Sequence, residues 1–98
     1  MKLLTDAANG VTGDWNEVPE PGNVHNSHVR SVYVEGTLDG GSVIIEAAHE
    51  SWGQTPGTAA TVATITANGV INISVRARQL RARTTGGGGS MSTSVIVV

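Results

Sequence analysis

The sequence predicts an all-β chain, a single-domain β-sandwich or jelly roll of seven or eight mostly antiparallel strands over residues 1–98. Three observations predict it. Thirty of the 98 residues are Val, Ile or Thr, whose branched Cβ atoms favour pleated strands over helices. Thirteen Gly against three Pro supply tight turns between short runs. Those runs alternate apolar and polar side chains with a period of two, the signature of a strand with one buried face.

Residues 2–5 are a candidate first strand. Residues 6–28 hold Gly10, Gly13, Pro19, Pro21 and Gly22 among Asn, Asp and Glu, and read as a long surface loop or arm pinned by Trp15. Residues 31–38 alternate, with Val32, Val34, Gly36 and Leu38 on one face. Residues 42–49 follow, with Val43, Ile45 and Ala47 opposed to Ile44, Glu46 and Ala48. Asp39-Gly40-Gly41 lies between them and offers positive-φ positions, which predicts a hairpin. A second hairpin is predicted for residues 61–66 and 70–76, which flank Asn68-Gly69, the pair that best tolerates a type I′ turn. Residues 50–58 connect the two, with Trp52 expected to plug one end of the core.

The chain is expected to turn near residues 77–79. Leu80, Ala82 and Thr84 then oppose Arg81 and Arg83 in a further strand, which the Gly86–Gly89 run ends. That run with Ser90 spells a flexible engineered linker, yet it lies between two strand patterns and reads as a native loop. Residues 92–98 close the chain, with Thr93, Val95 and Val97 opposed to Ser94, Ile96 and Val98. Val95 to Val98, uncharged, Pro-free and strongly β-prone, recruits other chains when left on an open edge. It is therefore expected either as a central strand of its own sheet or as a strand paired across a subunit boundary.

Composition excludes several classes. The chain has no Cys, which removes disulfide staples and thiolate metal ligands. No apolar run approaches 18 residues and no secretion signal opens the chain, so it is expected to be soluble as made, without membrane contact; Asn72-Ile73-Ser74 then reads as a chance match to the glycosylation triplet. A net charge of −2 argues against nucleic-acid binding, and the basic window of Arg76, Arg78, Arg81 and Arg83 has no interleaved aromatic for base stacking. His25, His28 and His49 lack the scaffold of a metal site. There is no G-x-S-x-G elbow and no P-loop lysine after the glycine run, and Glu17 with Glu20 and Glu46 with Glu50 read as solvated carboxylates. No catalytic, cofactor or metal residue is assigned, and the chain is not expected to be an enzyme.

What remains is interaction. All eight Asp and Glu lie in the first fifty residues beside only Lys2 and Arg30, while residues 51–98 hold four Arg and no acid. Either folding mixes the halves, with strand Arg paired to Glu across a sheet, or the subunit has an acidic and a basic side that meet neighbouring molecules. Arg76, Arg78, Arg81 and Arg83, with Trp15, are the candidate partner-binding residues, because guanidinium groups suit bidentate carboxylate contacts.

The run TITANGVINISVRARQLRARTTGGGG, closed by a strand of Ser, Thr and Val, resembles the C-terminal half of small virion structural proteins of tailed bacteriophages. In that family an ANG or ADG turn leads to an R-A-R strand, a Gly-rich loop and a final Val-rich strand. GSVIIEAAHESW is also similar, with Arg78 and Arg81 to Arg83 on the basic strand and Trp52 a loose match to the loop aromatic. The likeness spans residues 33–98, about two thirds of the chain; residues 6–28 have no counterpart. It implies a capsid decoration or cement protein, made in the bacterial host cytoplasm, seated on the outer head surface of the virion and bridging major capsid protein subunits, commonly as a homotrimer. Two other roles stay open: a tail- or fibre-associated adhesin that stacks host surface glycan on Trp15 or Trp52, and a head-tail connector component.

Overall fold

The computed structural model describes residues 1–18, 29–48, 59–75 and 79–98. They form eight strands: β1 (Lys2–Ala7), β2 (Asn16–Glu17), β3 (Val29–Thr37), β4 (Ser42–Ala48), β5 (Ala60–Ile65), β6 (Gly69–Ser74), β7 (Gln79–Thr85) and β8 (Ser92–Val97). Two four-stranded antiparallel sheets result, ordered β1-β8-β3-β6 and β2-β7-β4-β5. The pairing is nested: β1 with β8, β2 with β7, β3 with β6 and β4 with β5. One long hairpin rolled into two sheets has this connectivity, and it is the jelly roll.

Nesting overturns both predicted hairpins. β3 and β4 lie in different sheets, as do β5 and β6, so each of these connections is a corner between layers. The turn chemistry was nevertheless sound at the first. Asp39 and Gly40 have φ of 49° and 78°, and Gly41 N–H donates to the Leu38 carbonyl at 2.8 Å. A tight turn does not oblige its flanks to pair, and here Thr37 faces Ser92 while Ser42 faces Thr85. At the second corner Gly69 alone takes positive φ, and the Asn68 side chain donates to the Gly36 carbonyl at 2.6 Å, tying the corner to β3. The strands that do pair as sequence neighbours are β4 and β5; residues 49–58 between them, with Trp52, lie outside the described residues.

The predicted loop over residues 6–28 is also corrected in part. β2 pairs with Gln79 and Leu80, Thr12 bridges to Arg83, and Gly13 N–H donates to the Ala82 carbonyl at 2.8 Å. Residues 11–17 thus run along β7 as the edge of its sheet. Val11 and Trp15 are the only large apolar side chains in residues 11–17, too few to show an alternating pattern in the sequence. Gln79, placed at a turn by sequence, already belongs to β7.

The closing strand β8 is central, flanked by β1 and β3, which resolves the alternative left open above. Its inward Thr93, Val95 and Val97 pack with Val32, Val43, Ile45 and Leu80 as the most deeply buried side chains. Each such aliphatic group contributes about 1.5–3 kcal/mol on burial. Two threonines on inward faces have bonded hydroxyls: Thr93 Oγ1 donates to the Thr37 carbonyl at 3.0 Å, and Thr84 Oγ1 donates to the Ala8 carbonyl at 2.6 Å. The glycine run is part of the molecule's closure. Gly87 N–H donates to Asn9 Oδ1, Gly88 N–H to the Asp39 carbonyl and Ser90 N–H to Asp39 Oδ2, at 2.9, 3.1 and 3.0 Å. Total accessible surface is 5480 Å², close to the roughly 5,200 Å² that area scaling gives for one folded unit of this mass.

Gly36 tests the β3–β8 seam. Its φ is +107°, and an added Cβ would overlap the Ser92 carbonyl oxygen. Gly36→Ala is expected to destabilise by about 2–4 kcal/mol, lowering Tm by roughly 10–20 °C, whereas Gly89→Ala, whose Cβ meets nothing within 4 Å, is expected to be neutral in the same thermal melts.

Candidate functional site

β7 runs between β4 and the edge formed by residues 11–17, and its period of two sends Leu80, Ala82 and Thr84 into the core while Arg81 and Arg83 emerge on the outer face. β4 supplies their partner. Glu46 stands directly opposite Arg81, and Ile44 opposite Arg83, so the Glu46 carboxylate lies between the two guanidinium groups. Arg81 Nε donates to Oε1 at 2.7 Å and Arg83 Nε donates to Oε2 at 3.2 Å. On the other flank, pairing of Asn16 with Leu80 brings Trp15 beside Arg81, whose guanidinium carbon lies 4.4 Å from the centroid of the indole ring system. A cation over an indole face gains about 0.5–2 kcal/mol, depending on how dry the contact is.

The assembly has an inside and an outside. Glu46 is only 7% exposed, and Ala48 and Gln79 beside it are buried. Gln79 Oε1 is buried without a hydrogen bond among the described residues. The two arginine side chains keep 26% and 34% of their surface. Each spends its Nε on Glu46, and among the described residues neither makes a bond through its terminal Nη atoms. One carboxylate against two guanidinium groups leaves one positive charge in excess, held by a carboxylate below and an indole beside it. Such a pair is stiff, and a planar fork fixed in place loses less entropy when it binds an anion.

Burial raises the Glu46 pKa, but the hydrogen bonds and charges of Arg81 and Arg83 outweigh it, so the carboxyl lies below its ordinary value of 4.5. The group is therefore ionised wherever the protein is near neutral pH. Reading Glu46 as a solvated carboxylate is overturned, because desolvation on an outer sheet face is repaid only by the two β7 arginines. The signal for it was present in β4, a strand with a single charged residue, but its meaning depends on β7 being the neighbour.

Of the candidate partner-binding residues, Arg81, Arg83 and Trp15 come together here; Arg76 and Arg78 lie outside the described residues, as do Trp52, His25, His28, His49, Glu20 and Glu50. The charged halves of the sequence are mixed at this point by folding, since Glu46 comes from the acidic half and both arginines from the basic one. Among the described residues no group of three or more His, Asp or Glu is placed to hold a metal ion. An open concavity of about 300 Å³ at the β5–β6 corner is lined by Thr64, Ile65, Ala67, Asn68 and Val70, none of them a charged or catalytic side chain. The outer face of the other sheet differs in character: Val29, Tyr33 and Val70 are 56%, 39% and 54% exposed, and Tyr33 stands between Val70 and Ile96 in one cross-strand row.

No protein-family model, no curated protein and no solved structure matches the chain.

Glu46→Gln is expected to cost roughly 1–3 kcal/mol at neutral pH, because it leaves two guanidinium groups against a neutral amide. The folded-state pKa lies below the unfolded one, so the ion pairs' contribution is full above about pH 4.5 and is lost as pH falls through the folded value. Denaturant melts across pH 2–7 should show stability falling below that point in the wild type, with the Glu46 component of the fall absent from Glu46→Gln.

Proposed function

We propose that the chain is a structural module of a tailed-phage particle, a capsid decoration protein that holds to major capsid protein subunits through carboxylates gripped by Arg81 and Arg83. The observation that carries the proposal is the guanidinium pair bonded through Nε to Glu46, with side chains that stay 26% and 34% exposed on the outer face of the sheet. The likeness of residues 33–98 to small virion proteins supports it, as does the architecture, because jelly rolls recur in viral capsid proteins. A cysteine-free roll with a closely buried aliphatic core suits a module that is copied many times over a shell. Repetition over a lattice raises effective concentration, so a modest contact at each copy suffices.

The sugar-binding alternative is weaker for a physical reason. Jelly rolls also serve as lectins, but one face of Trp15 is covered by the Arg81 guanidinium, and a stacked sugar would have only the other.

Arg83→Gln tests the reading without removing the shorter Arg81–Glu46 bond. Phage heads reconstituted with it are expected to carry several-fold fewer copies than heads given wild type, with unchanged far-ultraviolet circular dichroism of the free protein. Added salt should lower wild-type occupancy in the same direction. Equal occupancy for both proteins, or a position confined to the tail tip in electron microscopy of whole particles, refutes the proposal. Glycan binding that Trp15→Ala abolishes would replace it with the adhesin reading.

A further inference from the structure

The two sheets have four edges, and three of them are guarded. β1 slips register twice along β8 and holds Asp6 at a φ of 46°. β2 is two residues long. β5 has an extra residue, Val62, opposite the step from Ile45 to Glu46, so its ladder is bulged. Short length, bulges and irregular backbone are the devices by which edge strands avoid pairing with other chains. β6 is six residues long and unbulged, with irregular backbone confined to Gly69 at its corner, where φ is +144°. Its six residues, GVINIS, hold no charge and no proline, and they pair with β3 in unbroken register from Gly69 to Ser74.

The groups it leaves open follow from β3. Ser31 and Val98 exchange both backbone hydrogen bonds, so Ser31 points its N–H and C=O toward β8 and away from β6. In an antiparallel ladder the residue opposite, Asn72, then points its own groups away from β3, and so do Val70 and Ser74 two residues to either side. No described strand lies beyond them. The side chains of Val70, Asn72 and Ser74 are exposed, while Ile71 is only partly buried against the core.

We infer that β6 pairs with β6 of a second copy, antiparallel about a twofold axis at Asn72, joining two four-stranded sheets into one continuous sheet. A second copy fits because this strand complements itself. With Asn72 facing its own counterpart, Val70 meets Ser74 and all three open residues fall in hydrogen-bonded positions. Ile71 meets Ile73 on the inner face, closing the side of the core that Ile71 leaves half covered. On the outer face the row of Ile96, Tyr33 and Val70 continues across the seam to Ser74 and Val29 of the second copy. Such a contact is isologous. It stands independently of where the molecule resides, and it differs from the threefold assembly that the phage resemblance implies.

Sedimentation of the full chain is expected to show a concentration-dependent dimer. Asn72→Lys sets two ammonium groups face to face at the axis. Asn72→Pro removes an N–H that β3 does not use, a position where an edge strand tolerates proline. Each should reduce dimer at least tenfold at equal concentration, with circular dichroism unchanged. Register is read by a short bismaleimide. In the proposed pairing it joins Asn72→Cys, whose Cα atoms sit about 5.5 Å apart, and fails with Val70→Cys, whose copies lie about 14 Å apart. A monomer at every soluble concentration, a trimer, or a dimer that the position-72 variants leave intact would overturn the inference.

Discussion

Nested pairing is the constraint on which the rest of this molecule depends. Because β1 must find β8 and β2 must find β7, nearly every ladder joins residues far apart in sequence, and among the described strands only β4 and β5 pair as neighbours. Such a topology forms its contacts late, since long loops must close before any ladder rewards them. In return it places β8, the most aggregation-prone segment, between two partners and leaves no open edge along it. The same nesting sets the two turns of residues 38–41 and 86–90 against each other. Glycine is required there for close approach: a Cβ on Gly41 would stand 2.7 Å from the Gly87 backbone.

The pairing of β4 with β7 also decides the electrostatics. A glutamate on one strand and two arginines on the next become a single unit, with the carboxylate drawn down against the sheet and the guanidinium groups above it. Removing the negative partner would leave like charges together, and removing both positive ones would leave a desolvated carboxylate. Neither half is stable without the other. At this point of the fold the acidic and basic halves of the sequence meet, and the cluster of Glu46, Arg81 and Arg83 keeps an excess of one positive charge.

The two outer faces divide the interaction chemistry between them. One sheet presents guanidinium nitrogens fixed by Glu46 and Trp15; the other presents a row of apolar and aromatic side chains and an unguarded edge. A module that meets a charged neighbour on one side and its own copy on the other can be built from these faces, and the stiffness of the aliphatic core holds their relative geometry.

Residue alternation was enough to read the strands and their inward faces: Val32, Val34, Val43, Ile45, Leu80, Ala82, Thr93, Val95 and Val97 are all where a period of two places them. Arg81 and Arg83 were legible as outward-facing for the same reason. Alternation is a local property, dictated by the pleat of one strand. Partnership is not, and the Asp39-Gly40 and Asn68-Gly69 turns were misread as hairpins because turn chemistry specifies a reversal of direction without specifying which sheet receives the chain. The polar edge β2 and the buried state of Glu46 were hidden on the same ground. A two-residue polar strand shows no alternation, and a carboxylate on an outer face is covered only once the long-range ladder has delivered two guanidinium groups to meet it.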